Sequence, residues 1–280
     1  MHASDSTCAN CGSSLAAEHA YCGACGQKKV ADADARSFRH LLLASFQEVS
    51  SVDSRLWRSL RYLISRPGWL TREFIEGRRQ RYMTPISLFL LANLLFFLAP
   101  SLTDFSINLV DQVTLQPYSD WIRPWVERTI SDGGRSAADV RAAYREHSNE
   151  LAKVMVIFHV PLIAFFSFLL GVGKRRYYAD HVVGALHFFA FLMLYYSALP
   201  YLVVPLLQLA LTPLDLQGHA WRIGVSIQFL YVPLMLRTAF DFAWWRAIGG
   251  SVLFVFALYG VHVLYRLILF LLSFSRVAWQ

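Results

Sequence analysis

Four cysteines, Cys8, Cys11, Cys22 and Cys25, open the chain as two C-x-x-C pairs and are the only thiols among its 280 residues. Two thiolates three residues apart can grip one ion only where the backbone turns tightly beneath them. Each pair is followed by glycine (CANCG and CGACG), which tolerates the positive φ such a knuckle uses. Two knuckles supply four sulfurs, the donor set of a tetrahedral structural zinc site. Iron, as a cluster or a single ion, uses the same ligands and is the second candidate. A disulfide framework does not suit a cytoplasmic segment, and no thioredoxin-like pattern surrounds either pair to make it a redox motif. A module of about 30 residues buries too little to fold alone, so the metal largely supplies its fold. Four thiolates close the site against substrate, and His2 and His19 are then bystanders. Lys28 and Lys29 are too few for nucleic acid, so the expected partner at this module is a protein.

A second set of residues stands within apolar stretches, where ionisable groups are costly and each is a functional candidate. It comprises Asp180, His181, His187, His159 and His262. Asp180 and His187 are about two helical turns apart and share a face. The sharper reading is a metal or proton site of Asp180, His181 and His187 with a histidine from elsewhere. The plainer one makes Asp180 a helix cap and His187 an interhelical hydrogen-bonding group. Depth favours the plainer reading, since His159 and His262 lie roughly 8–10 Å further from the inner surface. Asn93, His159, Gln228 and His262 form a candidate mid-membrane polar layer, which serves helix association as readily as transport. Arg266, nearer the outer end, is expected to snorkel outward. No nucleophile elbow, P-loop, dinucleotide fingerprint or H-E-x-x-H motif is present.

These residues must be positioned by a membrane-spanning framework. The chain is 56% hydrophobic and only 16% charged, with 21 phenylalanines, against roughly a quarter charged in soluble domains. The expected fold is an all-α polytopic membrane protein with a small N-terminal zinc-ribbon module and amphipathic interfacial helices. The domains are a cytoplasmic four-cysteine ribbon over 1–30, a linker and basic amphipathic helices over 31–83, and a transmembrane domain over 84–280. Five spans of about 20 apolar residues are expected at 84–102, 152–172, 181–211, 221–239 and 249–273, with Pro200 or Pro205 bending the third. The first thirty residues hold no apolar signal region, so the first span reads as an uncleaved anchor.

Charge sets the orientation. Between Arg55 and Tyr82 stand eight arginines against Glu73 and Glu76, whereas 103–150 carries eight acids and five arginines. The positive-inside rule places the N-terminus in the cytoplasm and the 103–150 segment and C-terminus outside. The net charge of +7 is then a matter of topology rather than of nucleic acid. Within 103–150, Trp121, Ile122, Trp125, Val126 and Ile130 mark an amphipathic segment expected to lie at the membrane interface, with an outer ligand site as the alternative.

The stretch SLRYLISRPGWLTREFIEGRRQRYMTP follows the linker. Leu56, Leu60, Leu63 and Ile64 are expected on one helical face, with a break at Arg66-Pro67-Gly68. Trp57, Tyr62, Trp69 and Tyr82 suit a headgroup zone, and basic residues there contribute ~1 kcal/mol each toward anionic lipid. Arg66, Arg78, Arg79 and Arg81 are the candidate lipid-surface residues. The ribbon C-x2-C-G…Y-C-x2-C-G-Q, the R-P-G turn and the run Gly77 to Pro85, written G-x-R-x-x-Y-x-x-P, together resemble a catalogued bacterial multi-span membrane family of unknown function. YYADHVVGALHFFAF is similar to that family as well, with Asp180 where glutamate is expected. The resemblance implies a zinc ribbon on an inner-membrane protein and implies no activity.

The functional expectation is a non-enzymatic inner-membrane scaffold, sensor or complex subunit, possibilities that share one feature: a displayed cytoplasmic ribbon. A homo-oligomer is compatible with it. The alternatives are a lipid or small-solute transporter using the polar layer and a membrane-embedded metalloenzyme centred on Asp180 and His187.

Overall fold

The computed structural model describes residues 6–15, 19–27, 54–98, 105–132, 134, 136–173, 176–210 and 220–278. The linker at 31–37, the amphipathic stretch from Phe38 to Val49, and Lys28, Lys29, Lys174 and Arg175 lie outside the described residues. A two-stranded antiparallel hairpin, β1 (Ser6–Thr7) and β2 (Ser14–Leu15), carries the first cysteine pair. All further regular elements described are helical. They are α1 (Ser54–Ser65), α2 (Trp69–Ile75), α3 (Pro85–Leu98), α4 (Leu109–Thr114), α5 (Ser119–Asp132), α6 (Ala137–Met155), α7 (His159–Leu170), α8 (Tyr178–Ala198), α9 (Val204–Ala210), α10 (Ala220–Phe240) and α11 (Trp244–Ala278).

Among the described residues, four helical runs are long and apolar enough to cross a membrane: Ala137–Leu170, Tyr178–Leu209, Arg222–Phe240 and Trp244–Ala278. The first expected span is the shorter α3, whose 14 residues reach ~21 Å of a hydrocarbon core of ~30 Å. Residues 99–104 lie outside the described set. Two runs are interrupted where proline removes a donor. Pro161 cannot bond the Ile157 carbonyl, and a 3-10 turn, Val156–Phe158, joins α6 to α7. Pro200 sits in a π-turn, Leu199–Val203, between α8 and α9, where the third span was expected to bend.

The main core is built from α3, α7, α8, α10 and α11, with Phe89, Phe188, Phe240 and Phe254 fully buried. The hairpin of α1 and α2 is wedged into one end of it. Gly68, in the break between these helices, has φ +82°, and a Cβ there would stand 2.7 Å from the Met235 carbonyl oxygen. Only glycine permits both the left-handed turn and the approach to the α10 backbone. Tyr231 of α10 donates to the Leu63 carbonyl of α1 at 3.0 Å.

One feature departs from the sequence expectation. Ile64 is 60% exposed; the buried face of α1 runs through Ser59 and Leu63, and Ile64 joins Trp57 and Arg61 on the opposite side. In the 103–150 segment, Ile122 and Val126 are buried against protein, whereas Trp121 is 66% exposed. The 35 residues of α11 extend ~52 Å, well beyond a bilayer core, and the α6–α7 run is nearly as long. Around their projecting ends α4 and α5 fold into a second core of Leu109, Ile122, Val126, Val140, Tyr144, Phe270, Phe274 and Val277. Trp125 packs edge-on to Phe274 with ring centroids 4.8 Å apart. The overlong α11 supplies a protein surface for part of this apolar periodicity.

Candidate metal centre

The two cysteine pairs fold into matching knuckles. Cys8 N–H donates to the Ser13 carbonyl and Gly12 N–H to the Cys8 carbonyl, each at 2.8 Å. In the second knuckle Cys22 N–H donates to the Gln27 carbonyl and Gly26 N–H to the Cys22 carbonyl, again at 2.8 Å. Gly12 and Gly26, four residues after the first cysteine of each pair, have φ of 77° and 72°. The repeated hydrogen bonds and the repeated left-handed glycine aim both pairs at one point.

All four Sγ atoms lie within 4.8 Å of one another. Cys8 and Cys25 Sγ are 3.7 Å apart, and Cys11 and Cys22 Sγ 3.6 Å. A tetrahedron with metal–sulfur bonds of ~2.3 Å has edges of ~3.8 Å, whereas a disulfide requires ~2.05 Å. The spacing therefore fits one shared metal ion and no disulfide. Cys8 and Cys22 are buried and Cys11 is exposed. Burial pushes the Cys8 thiol up to about 11, while hydrogen bonding with Ser13 holds Cys11 down to about 6. A metal ion would supply the charge compensation that the buried thiolates lack.

The module is seated on the turn between α2 and α3. Gln27 Nε2 donates to the Gly77 carbonyl at 2.7 Å, and Gln27 Oε1 accepts from Arg79 N–H at 3.3 Å. Gln80 Nε2 reaches the Gly26 carbonyl at 3.4 Å, and Arg81 donates to the Asn10 carbonyl at 3.4 Å. Gly77 has φ +87°, and a Cβ there would come within 3.0 Å of the Ala9 methyl. Both knuckles thus touch the G-x-R-x-x-Y-x-x-P run, a contact that no periodicity in the sequence signals.

The four candidate lipid-surface arginines also make contacts within the protein. Arg78 Nε donates to Glu73 at 2.8 Å and its Nη2 also meets Glu76. The guanidinium thereby offsets a Glu73 side chain that is only 4% exposed. Arg79 stacks 4.4 Å over Phe74, and Arg66 lies over Tyr62 and Trp69. Tyr82, expected at the headgroup zone, is buried and accepts from Trp69 Nε1 at 3.3 Å. Trp57 remains 72% exposed.

The intramembrane candidates are distributed among separate contacts. Asp180 Oδ2 accepts from Tyr177 N–H at 3.0 Å, capping α8. His187 Nδ1 and Thr71 Oγ1 share a 2.9 Å hydrogen bond that ties α8 to α2. His181 bonds Ser167 at 2.7 Å and stacks on Phe240 with centroids 4.3 Å apart. His159 and His262 meet at 3.3 Å between Nε2 and Nδ1. Because His159 Nδ1 also faces the Val156 carbonyl at 3.2 Å, which can only accept, the neutral His159 ring accepts from His262. Gln228 donates to Tyr196 at 3.2 Å. Arg266 does not snorkel: it is 9% exposed and donates to Gln116 at 3.1 Å. Among the described residues, the cysteines are the group of three or more His, Cys, Asp or Glu placed to share an ion.

Fold and site together define a helical membrane protein with a four-cysteine cluster able to hold a metal. The sequence model of a family described as "Protein of unknown function (DUF3667)" matches residues 53–97. That stretch covers α1, the Gly68 turn, α2, the module's seat and nearly all of α3. No curated protein and no solved structure matches the chain.

Proposed function

We propose that this chain is a non-enzymatic protein of a bacterial inner membrane that displays a zinc ribbon on the cytoplasmic side as a scaffold, sensor or complex subunit. The observation that carries this reading is the closed sulfur set: four thiolates at tetrahedral spacing leave no position for a substrate. Cys8, Cys11, Cys22 and Cys25 hold the ion, and bound zinc contributes a cross-link between the two knuckles. Gly12 and Gly26 shape the knuckles, and Gln27 fixes the module against the bundle.

The topology we propose has five crossings, with α3 and the residues that follow it making the first. Arg55, Arg58, Arg61, Arg66, Arg72, Arg237 and Arg246 then lie on the ribbon's side, as the positive-inside rule asks. Anionic lipid is assigned to the outer strip of α1, where exposed Trp57 and Ile64 flank Arg61, rather than chiefly to Arg78. A protein partner would meet the exposed surface of the ribbon, to which Tyr21, 56% exposed, belongs. A transport reading draws support from the His159–His262 contact, and its test is flux in proteoliposomes that is lost in His159→Ala.

The experiment for the leading reading is purification of the full chain in mild detergent with a photo-crosslinking residue at position 21. It is expected to capture a defined protein partner and to retain about one zinc per chain. Capture no greater than from a crosslinker at the opposite end, at position 115, counts against a ribbon-borne docking role.

A further inference from the structure

The four-cysteine module reads the Gly77–Arg81 turn by backbone recognition, and this contact has the chemistry of a detachable latch. Gln27 uses its amide as a peptide group would, donating to the Gly77 carbonyl and accepting from Arg79 N–H. Gln80 returns the contact to the Gly26 carbonyl, and Arg81 reaches the Asn10 carbonyl. Every ribbon group involved lies inside a knuckle or directly beside one. Asn10 stands between Cys8 and Cys11, and Gly26 and Gln27 follow Cys25.

The seat has two properties that make it a receptor rather than an incidental neighbour. Its backbone is preset: Gly77 at φ +87° turns the Gly77 carbonyl and the Arg79 N–H toward the same side chain. Its position is also fixed from below, because Arg78, between those two residues, is anchored to Glu73 and Glu76. Glu76 in turn pairs with Arg72 at 2.7 Å, and Arg72 lies 3.7 Å from Asp241, which bonds Arg176 at 3.0 Å. The seat is thereby joined to the ends of α8 and α10.

We propose that the Gly77–Arg81 turn is an intramolecular receptor for the metal-loaded ribbon, and that loss of the metal releases the ribbon from it. This rests on the zinc-ribbon reading above. The knuckle geometry that presents Asn10, Gly26 and Gln27 in register is imposed by the shared ion, since among the described residues the buried apolar core of the module is Cys8, Leu15 and Cys22. Without the ion these groups lose their common orientation, and the turn exchanges them for water. The released surface is the one that carries the Gly-Arg-Arg-Gln-Arg run, so metal status would decide whether that basic backbone faces the ribbon or the membrane surface.

Hydrogen–deuterium exchange of the full chain in nanodiscs tests this, read at peptides covering 77–82 and at control peptides in α8. Zinc content is measured on the same samples. Zinc-loaded wild type is expected to protect 77–82, and chelation to speed its exchange at least about tenfold with α8 unchanged. Gln27→Ala and Ala9→Trp are expected to keep zinc yet show the fast exchange at 77–82. Ala9→Trp guards against a Gln27 variant whose knuckle fails to fold. Unchanged protection after chelation, in a protein that had bound zinc, overturns the latch while leaving the metal site standing. Purified wild type that holds no zinc or iron overturns both.

Discussion

Replacing Gly68 by alanine tests the least negotiable contact in the fold. The three atoms nearest the added Cβ are all backbone, Met235 O at 2.7 Å, Met235 Cα at 3.0 Å and Ala239 N at 3.1 Å, so no side-chain rotation relieves these contacts. The backbone at φ +82° adds ~1–2 kcal/mol of strain for a residue with a Cβ. Overpacking against a fixed backbone costs ~1–3 kcal/mol more. The sum is near 3 kcal/mol, and at ~2–4 °C per kcal/mol it lowers the melting temperature by roughly 6–12 °C. Gly173→Ala separates the two contributions, because Gly173 has φ +89° and nothing within 4 Å of its added Cβ; it should lose only the strain. Thermal unfolding of the detergent-solubilised chain, followed by intrinsic fluorescence, gives both values. A Gly68→Ala variant no less stable than Gly173→Ala would refute the wedging of the α1–α2 hairpin against α10.

Three further outcomes follow from the same contacts. Thr71→Val leaves the buried His187 nitrogen without its hydroxyl partner and should cost about 1–3 kcal/mol, read as a lower melting temperature; an unchanged melting point would detach α2 from α8. Arg78→Ala strands the buried Glu73 carboxylate and should cost about 3 kcal/mol, with Arg78→Ala/Glu73→Gln recovering part of the loss; a double variant no better than the single would remove the ion pair from the account. Protons compete with metal for thiolates, so zinc should be retained at neutral pH and released progressively on acidification, as a chromophoric chelator reports; pH-independent release contradicts thiolate ligation.

Much of the architecture is legible in residue spacing because its causes are local. The C-x-x-C-G pairs encode the knuckles, the Arg-Pro-Gly run encodes a break that only glycine can make, and apolar length encodes the long helices. Asp180 announces itself as a cap, the third residue of α8. What spacing does not encode is the partner each face finds. The apolar positions of α5 suit a membrane interface, and spacing alone does not show that Ile122 and Val126 pack with Phe270 and Phe274 of the long α11. Arg266 looks like a snorkelling residue until Gln116, 150 positions earlier, is folded beside it. Likewise, the arginines after Gly77 carry a strong membrane-surface signal, and spacing does not show that Arg78 also pairs with Glu73, that Arg79 lies over Phe74 or that Arg81 reaches the Asn10 carbonyl. The Gln27 contacts to Gly77 and Arg79 span 50 and 52 residues and leave no periodic trace.

The central claim is that the four cysteines hold one metal ion in a closed, non-catalytic site. The direct measurement is elemental analysis of the full chain purified in detergent without added metal, alongside Cys8→Ser and Cys22→Ser. Wild type is expected to carry about one zinc per chain, with four-thiolate ligation in X-ray absorption at ~2.3 Å, and both variants to lose the ion. Wild-type protein free of zinc and iron, or variants that keep a full equivalent, would contradict it.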